Sequence, residues 1–261
     1  MTDQPWLSIV TVVKDDSPAL ARSLVSLSSQ DLDDLEFIVI DSSQDNEHVP
    51  ALLHQTDPPA DFHWTPPAGV YAAMNLGLEK AHGRYIYFLN AGDELLPDAL
   101  RRVRAIAEQT DAGWLIGTVE VVAANGSSVV TPAWDFAAEQ RSLFARGHFA
   151  PHQGTFAALA DLRQVGGFDP SFQIAADYAA FLQLSRLSTP VMIEFPIARF
   201  HEGGLSTQRW RESFAEFHRA RRTILKPRGW AAVRELLSSS RHFLAVSIYR
   251  GIWSKVTRHG Q

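Results

Sequence analysis

Arg84–Asp93, reading RYIYFLNAGD, is the stretch on which the fold of this chain turns. Its apolar run, Tyr85 to Leu89, ends abruptly in Asn90, Ala91, Gly92 and Asp93. So short a run, rich in aromatic and β-branched side chains, reads as a buried strand. A carboxylate just beyond such a strand falls at the carboxyl edge of an α/β sheet, where these folds bind ligands. Oxygen ligands there suit a hard cation such as Mg or Mn, and that cation can hold a diphosphate.

Upstream of this stretch, strand and helix signals alternate. Trp6–Val13 reads as a strand, Pro18–Ser28 as a helix capped by Ser17, and Leu35–Ile40 as a second strand ending at Asp41. Phe62–Trp64 is a short third strand. Val70–Ala81 is helical, with Val70, Met74, Leu78 and Ala81 on one apolar stripe and Gly83 as its stop. A helix from Pro97 to Glu108 follows the quoted strand. This alternation predicts an α/β fold with a mostly parallel central sheet and helices on its faces.

Downstream the pattern changes. Trp114–Ala123 and Ser128–Thr131 flank Asn125-Gly126, a hairpin signal. A helix is expected over Ala175–Leu187 and a strand over Val191–Phe195, followed by a polar glycine loop at His201–Gly204 read as a flap. Two basic amphipathic helices close the chain, parted by Pro227 and Gly229. The expected division is therefore a nucleotide-binding domain over 1–206 and a helical extension over 207–261.

Composition narrows the function. The chain has 261 residues, 46% of them apolar, and no cysteine, which excludes disulfides and thiolate metal sites. The first residues show neither a basic segment nor a long apolar one, so no signal peptide is read there. No stretch approaches the ~20 apolar residues that cross a bilayer, and the expected location is cytoplasmic. The net charge of −5 hides an asymmetry: 207–261 holds 12 Lys/Arg and 3 Asp/Glu, and the rest carries −14. So acidic a body is not expected to bind nucleic acid, whereas the basic tail suits an anionic surface.

Four segments together carry a resemblance. They are Ser8–Val13 with the turn Lys14–Ser17; Phe37–Asp45, reading FIVIDSSQD; Gly69–Asp93, reading GVYAAMNLGLEKAHGRYIYFLNAGD; and the region from Pro151 to Asp177, with its HQGTF and GGFD runs. In order and spacing the chain, from about Leu7 to Ser206, resembles the inverting nucleotide-sugar glycosyltransferases of family 2, which have the GT-A fold. The resemblance implies transfer of a hexosyl-type sugar from a UDP- or dTDP-sugar to an acceptor hydroxyl, in glycolipid or cell-surface polysaccharide synthesis. It implies that Asp41 holds the base and that Thr11, Val13, Tyr71, Asn75, Asn90, Ala91 and Gly92 bind the donor. It implies further that Asp93 binds Mn or Mg, that Asp177 is the catalytic base, and that His152 and Gln153 face the acceptor.

Each position also has a reading of its own. An ionised Asp only accepts hydrogen bonds, so Asp41 suits the imide N–H of uracil or thymine, though Asp41-Ser42-Ser43 is also good turn and cap chemistry. Asp177, near a helix start, suits a cap as well as a base. The chain departs from the family at two points: Ala72 stands where an Asp is frequent, and Asn90 replaces the first carboxylate of an Asp-x-Asp pattern. These departures leave a catalytically silent sugar-nucleotide-binding or scaffold subunit as an alternative. A sugar-nucleotidyltransferase is a further one, against which Thr11–Asp16 is acidic and lacks glycine. No G-x-G-x-x-G follows the first strand, which disfavours a dinucleotide oxidoreductase. The aromatics and arginines of the tail read either as a peripheral membrane contact on the inner face, suited to a lipid-linked acceptor, or as packing on the catalytic domain or a homodimer interface.

Overall fold

The computed structural model describes residues 4–45, 47–54, 56–133, 150–204 and 208–256. Leu205 and Ser206, with the expected domain boundary, lie outside the described residues, as do the side chains of Ile248, Tyr249 and Trp253.

Alternation of apolar side chains along β1 (Leu7–Val13) builds both layers at once. Leu7, Ile9 and Val13 point to one face of the sheet, Val10 and Val12 to the other. A strand buried on both faces must be apolar throughout, as parallel strands are. β2 (Leu35–Asp41), β3 (Ala60–Trp64) and β4 (Tyr85–Phe88) complete a parallel block in the order β3-β2-β1-β4. On one face lie α1 (Ser17–Ser28), α2 (His48–Leu53) and α4 (Ala99–Gln109). The other face is covered by α3 (Val70–Lys80), α5 (Leu159–Gln164) and α6 (Ala176–Leu187), with Ala220 of α7 (Trp210–Leu225) reaching the same core.

Beyond β4 the pairing is mixed. β8 (Thr155–Ala158) runs antiparallel between β4 and β6 (Trp114–Val122), and β6 pairs in parallel with β9 (Val191–His201). The two-residue β5 (Glu94–Leu95) closes the edge on β9, and β7 (Ser128–Val130) forms the expected hairpin with β6. β9 runs six residues past its expected end at Phe195 because its register with β6 shifts around Gly117–Val119, opposite Pro196. A proline has no N–H for a ladder and is tolerated at such a bulge. His201 thus ends a strand instead of lying in a loop.

Smaller differences have local causes. The cap of α1 is Asp16, whose Oδ1 accepts the Ala19 N–H at 3.0 Å, so Ser17 is already inside the helix. α3 ends at Lys80, before Gly83, whose lack of a Cβ instead admits the β1 backbone at Ser8. α8 (Trp230–Val256) follows α7 as expected, and no helix among the described residues is long and apolar enough to cross a membrane.

Candidate active site

The register of the parallel block sets the site. Val13 pairs with Asp41, so β1 and β2 end level. β4 pairs with β1 only as far as Val10–Phe88, and the chain beyond it continues alongside, with Leu89 N–H on the Val10 carbonyl and Ala91 N–H on that of Val12. Asn90–Asp93 then turn across the strand ends, closed by a bond from the Asp93 N–H to the Asn90 carbonyl. Gly92 takes φ +102° there, a conformation that suits glycine. Ser23 of α1 pins this turn: its hydroxyl accepts the Gly92 N–H at 2.9 Å and donates to the Asp93 carbonyl at 2.7 Å. Its spacing carries no signal in the sequence.

Two adjoining hollows open over these ends, sharing Val70, Asn90 and Ala91 in their linings. The smaller, about 300 Å³, is a cleft at the ends of β1 and β2, lined by Val12, Val13, Lys14, Ser42 and Gly69 among others. Asp41 precedes Ser42 of that lining but is itself fully buried and lines neither hollow. Its Oδ1 accepts the Ser43 N–H at 2.8 Å, while Oδ2 has no partner. A buried polar atom without a partner is costly and calls for a donor. Thr11 is committed elsewhere, donating to the Leu89 carbonyl at 2.7 Å, and neither it nor Gly92 lines a hollow.

The larger chamber, about 470 Å³, is lined by Tyr71, Asp93, His152, Gln153 and Asp177, brought together from segments up to 106 residues apart. His152 stands between the two carboxylates, Nε2 at 3.9 Å from Asp93 and Nδ1 at 3.4 Å from Asp177. Burial raises the Asp93 pKa to about 7, against the pull of the nearby His152 and His201. For His152, burial works downward, but the hydrogen bond and charge of Asp177, with the charge of Asp93, hold it above its ordinary value. Burial and the charge of Asp177 push the Tyr71 phenol well up. Asp177 Oδ1 is occupied by the Tyr178 N–H at 2.8 Å and lies 3.0 Å from the Tyr71 hydroxyl, which leaves Oδ2 as the less committed oxygen.

Asn75 is not part of either lining. Its amide donates to the Phe168 carbonyl at 2.7 Å and accepts the Phe168 N–H at 2.9 Å, clamping the Gly166-Gly167 turn. Both of its polar atoms therefore serve a contact within the fold. Conversely, Gln173, Ile174, Ser213 and Phe217 line the chamber without having been read as site residues. Two of them come from α7, so this helix of the basic tail is a wall of the site.

A divalent cation can be tested against these residues. Among the described residues no group of three or more His, Cys, Asp or Glu side chains is arranged to hold a metal ion by itself. Asp93 and His152 offer one oxygen and one nitrogen, and Asn90 Oδ1 is buried without a partner. That set fits a cation taking most of its ligands from a diphosphate and water.

A parallel block with hollows at its carboxyl ends, continued by a mixed sheet and C-terminal helices, is the architecture of the GT-A glycosyltransferase fold. The sequence profile of glycosyl transferase family 2 matches residues 8–159, and the chain belongs to that family. It is 28% identical over 227 residues to an uncharacterised glycosyltransferase of Mycobacterium tuberculosis, covering 80% of each chain. It is 26% identical over 213 residues to a PGL/p-HBAD biosynthesis glycosyltransferase of Mycobacterium bovis, covering 77% of this chain and 79% of the relative. Among solved structures, Staphylococcus aureus TarS 1–349 in complex with UDP-GlcNAc aligns with TM-score 0.68 at 15% identity, over 84% of this chain but 65% of that one. The mannosyltransferase PcManGT of Pyrobaculum calidifontis, in complex with GDP-Man and Mn2+, aligns with TM-score 0.59 at 17% identity, over 97% and 81%. At those identities the likeness shows the fold alone.

Proposed function

We propose that this glycosyltransferase moves a sugar from a uridine or thymidine diphosphate sugar to an acceptor hydroxyl with inversion at the anomeric carbon. The observation that carries this reading is that Asp93 and Asp177 line one chamber, one imidazole apart, beside a cleft with an unpaired Asp41 oxygen. The base sits over Asp41 and Ser42, with Asp41 Oδ2 accepting its imide N–H. The diphosphate crosses the Asn90–Asp93 turn, and the sugar enters the chamber. Asp177 Oδ2 takes the proton of the acceptor hydroxyl as that oxygen attacks, as a carboxylate does in inverting glycosidases. His152 orients Asp177 through Nδ1. A cation held at Asp93, with His152 beside it, supplies positive charge against the leaving diphosphate when bound.

We propose a sugar or lipid-linked acceptor, met at the inner face of an anionic membrane. The support is a row on α8, Trp230, Val233, Leu236, Leu237 and Leu244, exposed to solvent (Trp230 by 87%), with Arg234 and Arg241 on the same helix. Trp and Leu beside arginines is the composition of a helix lying in a bilayer interface. Vesicles of anionic lipid should sediment the wild type and release Trp230→Ser/Leu237→Ser. Equal sedimentation of both, or a dimer lost in the variant, would defeat the membrane contact.

The transfer reading is tested with purified protein, a panel of nucleotide sugars and Mn, following thermal shift, nucleoside diphosphate release and the anomer of the product by NMR. A uridine or thymidine sugar should stabilise the fold by mass action. Retained anomeric configuration would exclude inversion, and full activity in excess EDTA would exclude the cation. Donor-induced stabilisation without any diphosphate release would leave a silent binding subunit.

A further inference from the structure

The helix that carries Asp177 starts without a cap of its own. Ala175 occupies the cap position and makes no side-chain bond there, and its neighbours Ile174 and Ala176 have no side-chain oxygen to offer. The backbone leading into the helix is held from elsewhere. Glu216 of α7, 41 to 43 residues downstream, accepts three successive N–H groups: Gln173 at 2.9 Å on Oε1, and Ile174 and Ala175 at 2.8 and 3.0 Å on Oε2. A carboxylate against a cluster of N–H donors at a helix start is a strong, directional contact.

This turn is tied to the reacting groups by a second bond. The Ile174 carbonyl accepts the Tyr71 hydroxyl at 2.6 Å, and that hydroxyl lies 3.0 Å from Asp177 Oδ1. One peptide thus has its N–H on Glu216 and the preceding part of the Tyr71–Asp177 arrangement on its carbonyl. Arg219, one turn along α7, grips the same segment, donating to the Ser171 carbonyl at 2.7 Å and lying 3.9 Å over the Phe172 ring.

We propose that Glu216 is a positioning residue for transfer: by fixing the 173–175 turn it sets where Asp177 Oδ2 and the Tyr71 hydroxyl stand in the chamber. The proposal rests on Asp177 being the base. Losing the carboxylate frees three N–H groups and lets the turn relax, and a displacement of about 1 Å at a reacting group can cost ~10²-fold in rate. The cleft at β1 and β2 is built without Glu216, so binding of the donor's nucleotide part has no reason to change.

The experiment compares Glu216→Ala, Glu216→Gln and Asp177→Asn in the full chain, with kcat, donor KM and donor-binding stoichiometry measured on each. Glu216→Ala should lose about 10- to 100-fold in kcat, with donor KM and stoichiometry unchanged. Glu216→Gln keeps one acceptor oxygen and should recover part of that loss. A wild-type kcat in both Glu216 variants while Asp177→Asn is inactive would overturn the positioning role alone. A wild-type kcat in Asp177→Asn would remove the base reading and the proposal with it. A kcat loss matched by lost donor-binding stoichiometry would reduce Glu216 to a folding contact. Should Glu216→Ala fail to fold, the near-isosteric Glu216→Gln decides.

Discussion

The two ends of the cleft are made of different material. The proposed donor end is the hollow over the level termini of β1 and β2, neighbours in one parallel block. The proposed acceptor end is assembled from Tyr71, His152, Asp177 and α7, each delivered by a separate element and held by one or a few side-chain bonds. A sheet edge tolerates the loss of one side chain, whereas a constellation of single contacts does not. Substitutions at the donor end should therefore weaken binding, and those at the acceptor end should slow turnover.

The largest expected effect is on the acceptor side. Asp177→Asn keeps the shape but removes the base, and kcat should fall by about 10²- to 10⁴-fold with donor binding intact. Loss of donor binding instead would erase the contrast between the two ends.

Next is the support beneath that end. Arg221, 3% exposed, bonds Glu235 at 2.8 Å, Ser239 at 2.5 Å and the Tyr178 hydroxyl at 3.2 Å, joining α7, α8 and the residue after Asp177. Glu235→Ala takes the counter-charge from a buried guanidinium, leaving it the Ser239 and Tyr178 hydroxyls alone, which costs up to about 3–5 kcal/mol, read as a lowered calorimetric midpoint. Burial pushes Glu235 upward, but Arg221 and Ser239 outweigh it and hold its pKa below the usual value. A depressed carboxylate stabilises above its unfolded pKa, about 4.3, and the gain is lost as pH falls through the folded value. The wild type should thus hold its full advantage over Glu235→Gln near neutrality and lose it below about pH 4. A pH-independent difference would show that the charge plays no part.

Asp41→Asn sharpens the donor side. An imide bond to a charged acceptor contributes about 1.5–3 kcal/mol, so donor KM should rise roughly 10- to 100-fold with kcat near normal. A change confined to kcat would remove Asp41 from base binding. The smallest effect is at the start of α1, where Asp16→Ala should cost about 1 kcal/mol in denaturant unfolding and, because Asp16 also lines the cleft at the ends of β1 and β2, shift donor KM less than Asp41→Asn does. A KM change larger than that of Asp41→Asn would put the weight of donor binding on Asp16 instead of Asp41.

The parallel block was legible because its signals are local: Leu7–Val13, Leu35–Asp41 and Tyr85–Phe88 are short apolar runs ending in polar residues, and burial on both faces demands that pattern. His152 was read as facing the acceptor, but nothing around it announces contact with two carboxylates. The clamp of Asn75 on Phe168 was not legible, since a polar side chain facing a ligand and one holding a distant peptide look alike in a helix. The strand through Pro196 was cut short because a bulge is created by the partner strand and not by the proline itself.

By itself the sequence determined the α/β alternation, the strand-end position of Asp41, the turn carrying Asp93 just past β4 and the helix bearing Asp177, because helical and extended periodicities act over a few neighbouring residues. Only the tertiary structure decided that His152 stands between Asp93 and Asp177, that Ser23 pins the Asp93 turn and that Glu216 caps a helix it does not belong to. Those bonds join residues tens of positions apart. Their partners are chosen by how the layers pack, which leaves no periodic trace along the chain.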